Sequence, residues 1–452
     1  MRIVLLNLPW RKQGCFGVRA GSRWPFTVKP RTEGPLQYLP FPFFLAYATA
    51  LLNQQKHNAM LIDAIAQGMD EHLILDKVRL LMPELMVIET STPSFDNDIN
   101  IIKGLARAVP ACQIVLCGPH ASVYPKFILE QYDFVSFVLV GEYEMTLADL
   151  AKARSQGLPL RSVPGLAFRK GKEVFVTARR KTLGDLDSLP LPERESLPLY
   201  NYNDGFCGLA QPNVQMVSSR GCPFNCTYCL WPQTLYFERK YRKRNPVKVI
   251  DEMEFLIKNY RFKAVYFDDD LFNYDKDHVA GICREIVKRG ISIPWAVMAR
   301  ADLMNEGMLE QMSEAGLYAV KYGIEAVNKN ILGLCRKQMN LKKACSMIAF
   351  TKKLGIKIHL TFCLGLPGET NTTLRETRDF IDAVKPDSLQ FSFATPFPGT
   401  RYFDFVEKKG YLVSRDWGDY DGNLRCIVKT AALSAQELEG VRNDLYRYYN
   451  LQ

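Results

Sequence analysis

The chain reads as an α/β protein built from two parallel-sheet domains in succession, and three observations carry that reading. Short apolar runs alternate with helical patterns over residues 1–155, the alternation resumes at Asn213, and a proline-rich stretch separates the two series. At 452 residues the chain exceeds one ordinary core and suits two or three domains.

In the first series the strand-like runs are Arg2–Asn7, Ala59–Asp63, Leu85–Glu89, Gln113–Cys117 and Val135–Val140. Helical patterns fall near Phe43–Gln55, Met69–Met82, Asp96–Ala108, Tyr124–Gln131 and Glu144–Ser155. Repeated β-α units with apolar strands predict a doubly wound, flavodoxin-like sheet. Ligands of such sheets bind at the carboxyl ends of the strands. The loops there carry Pro9, then Thr90, Ser91 and Thr92, then Gly118 and His120, then Gly141 and Glu142. No G-x-G-x-x-G follows the first strand, which argues against a nicotinamide or flavin dinucleotide site.

Residues 156–205 predict a connector, with Val174–Thr177 a short strand and Leu186 to Pro198 too rich in proline for a helix. Over 206–400, strands at Asn213–Ser219, Ala264–Asp268, Pro294–Ala299, Tyr318–Gly323, Lys357–Cys363 and Ser388–Phe393 alternate with helical patterns. Residues 401–452 predict a small C-terminal cap. Its amphipathic helix spans Ser434 to Tyr449, with Ser434 as N-cap and Leu438, Val441, Leu445 and Tyr448 on a core-facing stripe.

Forty-seven per cent hydrophobic and 23% charged residues is ordinary soluble globular composition. The net charge of +10 is spread along the chain, and its densest run, Arg239 to Arg244, reads as a solvated loop before a helix. That is no basis for a nucleic-acid partner. Twelve cysteines without paired spacings predict a reducing, cytoplasmic setting rather than a disulfide framework. The N-terminus reads as a strand and not a signal peptide. No run reaches the roughly 18 apolar residues of a membrane span.

The sharpest motif is Arg220-Gly221-Cys222-Pro223-Phe224-Asn225-Cys226-Thr227-Tyr228-Cys229, following a predicted strand. Cys222, Cys226 and Cys229, at C-x3-C-x2-C spacing, look like three thiolate ligands of one 4Fe-4S cluster, with one iron left open to a small chelating molecule. A structural zinc loop and three unconnected core thiols are the competing readings, and no fourth ligand for zinc lies nearby. The remaining nine cysteines form no second cluster motif, which argues against a methylthiotransferase.

The three-cysteine loop resembles the radical S-adenosylmethionine (SAM) superfamily, in which the methionine amine and carboxylate of SAM take the open iron. The resemblance implies that the second series is a partial (β/α)6 barrel. It implies that Tyr228 lies against adenine and that Asp268, Asp269 and Asp270 hold the methionine ammonium group. It also makes Arg300 and Glu325 candidates for the SAM carboxylate and ribose. A packing tyrosine, a metal-binding triplet and an Arg300–Glu325 ion pair are the alternatives. Gly365 to Glu369 and Thr395 to Thr400 resemble segments that shape the adenosine pocket, and each also suits a plain turn.

Residues 5–155 are similar to the cobalamin-binding domain fused to many radical SAM enzymes. The match runs through Phe41 to Tyr47, Ile62-Asp63, Cys117-Gly118-Pro119-His120 and Val140-Gly141-Glu142-Tyr143-Glu144. It implies that Pro9, Thr90, Ser91, Thr92, Gly118, His120, Gly141 and Glu142 contact cobalamin, with Gly118 admitting close approach of the corrin. The D-x-H-x-x-G motif of methionine-synthase-type domains is missing, so the resemblance implies cobalamin without a histidine on cobalt, and His57 and His120 are not expected as ligands. The implied activity is that of a class B-like radical C-methyltransferase using methylcobalamin and a 5′-deoxyadenosyl radical. It would act on an unidentified organic substrate with a low-potential flavodoxin- or ferredoxin-type electron donor. Ring closure, ring contraction or oxidation without methyl transfer is the rival, and a non-catalytic corrin or cluster carrier is a third reading. No catalytic side chain is assigned.

Overall fold

The computed structural model describes residues 1–29 and 38–451. Runs such as Leu85–Glu89, buried at every position, can only be satisfied in a sheet covered on both faces. They form a seven-stranded sheet of β1 (Arg2–Asn7), β2 (Asn58–Asp63), β3 (Leu85–Glu89), β4 (Gln113–Cys117), β5 (Val135–Leu139), β6 (Leu166–Lys170) and β7 (Glu173–Val176). The order is β7-β6-β5-β4-β3-β1-β2. The β2-β1-β3-β4-β5 part is parallel, the doubly wound order in which the strand sequence reverses between β1 and β3. β6 and β7 pair antiparallel and extend the same sheet. Part of the 156–205 stretch, expected as a connector, is thus a hairpin of the first sheet.

The second sheet runs β8 (Asn213–Met216), β9 (Ala264–Phe267), β10 (Trp295–Ala299), β11 (Leu317–Glu325), β12 (Lys357–Leu364) and β13 (Ser388–Phe393). All are parallel and paired in chain order, with β8 and β13 at the edges. This is an open half-barrel. Helices Pro246–Tyr260, Lys276–Lys288, Glu306–Glu314, Leu341–Lys353 and Asn371–Val384 connect the strands. Each is opened by an Asn, Asp or Thr side chain that accepts a backbone N–H, satisfying donors a helix leaves free.

Two further pieces close the molecule. A three-stranded sheet of Arg11–Lys12, Cys15–Val18 and Phe26–Val28 lies between β1 and β2 in sequence. It is tied to the C-terminal cap, where Asp421 accepts from Thr27 N–H at 2.9 Å and Thr27 Oγ1 at 2.6 Å. The cap's last helix, Ala435–Tyr448, opens with a reciprocal Ser434–Glu437 capping box, as the sequence predicts. Leu438 and Leu445 are buried there, while Tyr448 is exposed, so the predicted stripe ends one turn early. Among the described residues, no helix is long and apolar enough to cross a membrane.

Candidate functional site

The cysteine loop follows β8 and is fixed from three sides. Gly221 has φ of 88°, and a Cβ there would lie 2.1 Å from the Lys240 carbonyl oxygen, so only glycine makes this turn. Its N–H donates to Asp270 Oδ2 at 2.7 Å. Gln233 Nε2 donates to the carbonyls of Thr227 and Cys229 at 2.9 and 2.7 Å. From the cap, Tyr402 N–H reaches the Thr227 carbonyl at 3.1 Å and the Arg401 guanidinium holds the Asn225 side chain.

Cys222, Cys226 and Cys229 are free thiols. Cys226 and Cys229 share a hydrogen bond that, against burial and with help from Lys337 and Arg300, pulls the Cys226 thiol down to about 6. The same bond, with burial, pushes Cys229 well up. Burial raises Cys222 to about 12. Among the described residues, no three His, Cys, Asp or Glu side chains converge on a single-ion position. Three thiols without disulfide partners, with Lys337 and Arg300 beside them to balance thiolate charge, are chemically suited to hold a cluster. Tyr228 is buried beside Cys226.

The three acids after β9 are already engaged. Asp269 accepts from Ser218 N–H at 2.7 Å and from the Ser218 and Ser219 hydroxyls at 2.6 Å, and burial raises its carboxyl to about 6. Asp268 and Asp270 each pair with the Arg23 guanidinium at 2.7 Å. Burial raises Asp270, but Arg23 and the Gly221 N–H outweigh it and hold the group below the ordinary carboxylate range. Arg23 comes from the small sheet and also lies over the Trp231 ring at 4.7 Å.

Arg300 is not paired with Glu325. It grips Asp302 through two bonds of 3.0 and 2.9 Å, donates to the Lys337 carbonyl and covers the Phe224 ring at 3.9 Å. Glu325 instead faces Lys337 Nζ and Thr361 Oγ1, both at 3.5 Å. Its φ of 69°, at a register break between β11 and β12, is a strained conformation for a residue with a side chain, of the kind that clusters at functional sites.

At the carboxyl edge of the first sheet, the predicted residues are bound largely to neighbouring residues of the same edge. Arg19 is spent on Asn7 Oδ1, the Leu8 carbonyl, Ser94 Oγ and Asp98. Thr90 Oγ1 donates to Asp98 at 2.7 Å, the Ser91 and Ser94 hydroxyls meet at 3.0 Å, and the Pro9 carbonyl accepts from Asn97. A Cβ at Gly118 would sit 2.6 Å from the Thr90 carbonyl oxygen. That glycine is therefore also required by its neighbouring loop. His120 is buried, with Nδ1 3.2 Å from Thr92 Oγ1, Nε2 without a partner, and Phe95, Tyr124 and Trp417 around the ring. Burial lowers it to about 3. His57 lies just before β2, at the opposite end of the sheet from these loops.

Glu142 has partners across the domain boundary. Its carboxylate accepts from Arg220 at 2.9 Å and Arg242 at 2.7 Å, and Glu144 accepts from Arg220 at 2.7 Å. All four groups are buried, and Arg220 immediately precedes the Gly221 turn. Glu142 thus joins the first domain to the cysteine loop. Gly141 lies at the same junction, where a Cβ would be 3.1 Å from the Leu235 carbonyl. A small cleft runs beside this network, lined by Glu142, Glu144, Arg180, Lys181, Leu183 and Arg220. A second small cleft lies between Pro9, Trp10, Ala64 and Ile65 at the ends of β1 and β2.

The structure therefore gathers the cysteines, Tyr228, Asp268 to Asp270, Arg300 and Glu325 at one end of the half-barrel. Pro9, Thr90 to Thr92, Gly118, His120, Gly141 and Glu142 lie along the facing edge of the first sheet. Sequence reasoning missed Arg23 and Lys337, whose partners Asp268, Asp270 and Cys226 lie far off in the chain.

Residues 216–381 match the family model of the radical SAM superfamily. An uncharacterized methyltransferase of Pyrococcus horikoshii is 28% identical over 422 residues, covering 93% of this chain and 89% of the relative. The anaerobic magnesium-protoporphyrin IX monomethyl ester cyclase of Cereibacter sphaeroides is 29% identical over 420 residues, covering 90% and 67%. Among solved structures, the radical SAM methyltransferase TsrM from Kitasatospora setae, with cobalamin and a 4Fe-4S cluster bound, superposes with a TM-score of 0.74 at 18% identity, covering 99% of this chain and 88% of TsrM. That likeness shows the same α/β fold.

Proposed function

Because this chain is a radical SAM enzyme, with its radical SAM domain at residues 216–381, we propose that it is cobalamin-dependent and transfers a methyl group to a carbon of an organic substrate. The observation that carries the reading is one of placement. The free thiols of Cys222, Cys226 and Cys229 face Arg300 and Lys337 at the end of the half-barrel that meets the carboxyl edge of a doubly wound sheet. The methyltransferase relative and the cobalamin-bound neighbour of the same fold support it.

Cys222, Cys226 and Cys229 would hold the cluster, and Pro9, the Thr90–Thr92 loop, Gly118, His120 and Gly141 would line the cobalamin. When bound, the cluster supplies the electron that cleaves SAM and cobalamin supplies the methyl carrier, as cofactors provide chemistry that side chains cannot. The chain's own work is positional. Asp270 holds the Gly221 turn, Gln233 and Tyr402 hold Thr227, and Arg220 locks the loop to Glu142 and Glu144, so the thiols are presented to the facing domain at a set distance. The Asp268–Asp270 carboxylates offer an ammonium group charge-assisted hydrogen bonds once Arg23 gives way.

With methyl-labelled SAM, a low-potential flavodoxin or ferredoxin and the substrate, methyl transfer gives S-adenosylhomocysteine and 5′-deoxyadenosine in about equal amount and a product carrying the label. Cys222→Ala, Cys226→Ala and Cys229→Ala each abolish deoxyadenosine; full activity in any one sinks the reading. The cyclase relative supports a second reading, ring formation without methyl transfer. Deoxyadenosine with an unlabelled product and no substrate-dependent S-adenosylhomocysteine selects it.

A further inference from the structure

The interior of the half-barrel, away from the cysteine loop, holds a polar group of residues that none of the interactions above uses. Lys321 on β11 and His359 on β12 are register partners on adjacent strands, so their side chains share the inner face. Tyr266 on β9 lies across from them, with only Ala296 and Ala319 between in its layer of the sheet. The Phe206 ring, from the segment leading into β8, closes the floor. It lies 4.6 Å from Lys321 Nζ, 5.4 Å from the Tyr266 ring and 5.6 Å from the His359 ring. All three polar side chains are more than nine-tenths buried.

Their hydrogen bonding is incomplete. Tyr266 Oη has no partner, and His359 Nε2 has no well-formed hydrogen bond although the Gln390 side chain lies beside the ring, whereas buried polar atoms are almost always paired. Lys321 donates to Asp204 Oδ2 at 2.8 Å, which uses one of three ammonium protons, and the rings of Tyr38, Phe206 and Tyr266 surround the rest. Cys207 Sγ meets Ser388 Oγ at 3.2 Å, and Ser388 Oγ meets His359 Nδ1 at 2.7 Å, so Nδ1 is engaged and Nε2 is the ring nitrogen turned to the interior. Burial, with Lys321 beside it, holds this imidazole neutral. The Lys321 ammonium, with two protons beyond its bond to Asp204, the Tyr266 phenol O–H and the His359 ring thus all border the Phe206 ring and offer hydrogen bonds to an oxygen-bearing group.

We propose that Lys321, Tyr266 and His359 form the specificity site for the organic substrate and that they bind a carboxylate on it. This rests on the reading of the half-barrel as the reaction chamber and adds the chemical class of what enters it. The carboxylate anchors the substrate on the Phe206 floor and leaves its far end toward Glu325 and the cysteine loop.

The test uses the full chain, anaerobically reconstituted, with benzoate, indole-3-carboxylate and octanoate as probes and benzylamine and benzamide as cationic and neutral counterparts. Saturation-transfer NMR with competition reads binding without turnover. At least one carboxylate binds, both counterparts bind at least ten-fold more weakly, and Lys321→Met weakens that carboxylate by ten-fold or more. Tyr266→Phe weakens it by about three- to ten-fold while leaving thermal stability equal or higher, since it removes an unpartnered hydroxyl. Iron and sulfide content shows that each variant is folded. Failure of all three carboxylates to bind, equal binding of benzylamine, or unchanged affinity in a folded Lys321→Met chain overturns the proposal. Carboxylate binding in a chain that makes no deoxyadenosine would instead overturn the radical reading and leave this site standing.

Discussion

The two sheets turn their carboxyl ends toward each other but differ in what their polar groups are doing. At the first sheet, Arg19 gives every guanidinium nitrogen to Asn7, Leu8, Ser94 or Asp98, and Tyr143 donates to Glu89 at 2.5 Å. Glu142 and Glu144 are closed by Arg220 and Arg242. The half-barrel instead keeps three free thiols, a strained Glu325, and a Tyr266 Oη and His359 Nε2 that lack well-formed hydrogen bonds. A sealed edge supports geometry, while open groups wait for partners from outside the chain. The radical step therefore belongs to the half-barrel, while the first sheet offers a preformed edge of the kind proposed above to line the methyl carrier.

The strongest way to break this contrast is to open the sealed edge. Arg19 and Asp98 are each 1% exposed, and removing one partner of a buried pair leaves an uncompensated charge. Arg19→Met should cost about 3–5 kcal/mol in urea unfolding of the cluster-free chain. Cys226→Ala, which strands no charge, should cost about 1 kcal/mol by the same measurement while abolishing deoxyadenosine formation. Equal costs for the two variants would show that the edges do not differ in this way.

Where the sequence was legible, period and spacing carried the signal. The runs Arg2–Asn7, Leu85–Glu89 and Gln113–Cys117 match the observed strands end to end because a buried parallel strand must be an apolar run, and Ser388–Phe393 does so because a half-exposed edge strand alternates. The Cys222–Cys229 loop was legible because its partners are a few residues apart. The small sheet over Arg11–Val28 was not, since its strands are two to four residues long and too short to show a period. Partner choice was hidden as well. Glu142 finds Arg220 and Arg242 at separations of 78 and 100 residues, and Arg23 finds Asp268 at 245. A carboxylate at a strand end looks the same in sequence whether it meets a cofactor or an arginine.

Arg23 belongs to neither sheet, so it sharpens the comparison. Its guanidinium occupies the Asp268 and Asp270 carboxylates that an incoming ammonium group would need. In the reconstituted protein, Arg23→Met should bind SAM about ten-fold more tightly by anaerobic titration calorimetry, because no resident cation has to be displaced; that factor is about 1.4 kcal/mol. Ten-fold weaker binding would mean that Arg23 orders the triplet instead, and would place it with the sealing groups of the first edge.

The smallest expected effect concerns an open nitrogen on the first edge, His120 Nε2. Burial lowers this imidazole to about 3, whereas an unfolded histidine titrates near ~6.5. Between those values the unfolded chain binds a proton that the folded chain refuses, so this group's contribution is complete above about pH 6.5 and is lost as the pH falls toward 3. The slope is at most ~1.4 kcal/mol per pH unit. His120→Phe fills the space among Phe95, Tyr124 and Trp417 with another ring and gives up one 3.2 Å contact to Thr92. At pH 7.5 it should match the wild-type chain within about 1 kcal/mol, and at pH 5 it should be the more stable of the two. If the nitrogen is also idle toward cobalt, the cob(II)alamin spectrum of the loaded variant keeps the wild-type nitrogen hyperfine pattern. A protein-derived nitrogen signal that disappears in His120→Phe would show instead that this edge opens to present His120 to the metal.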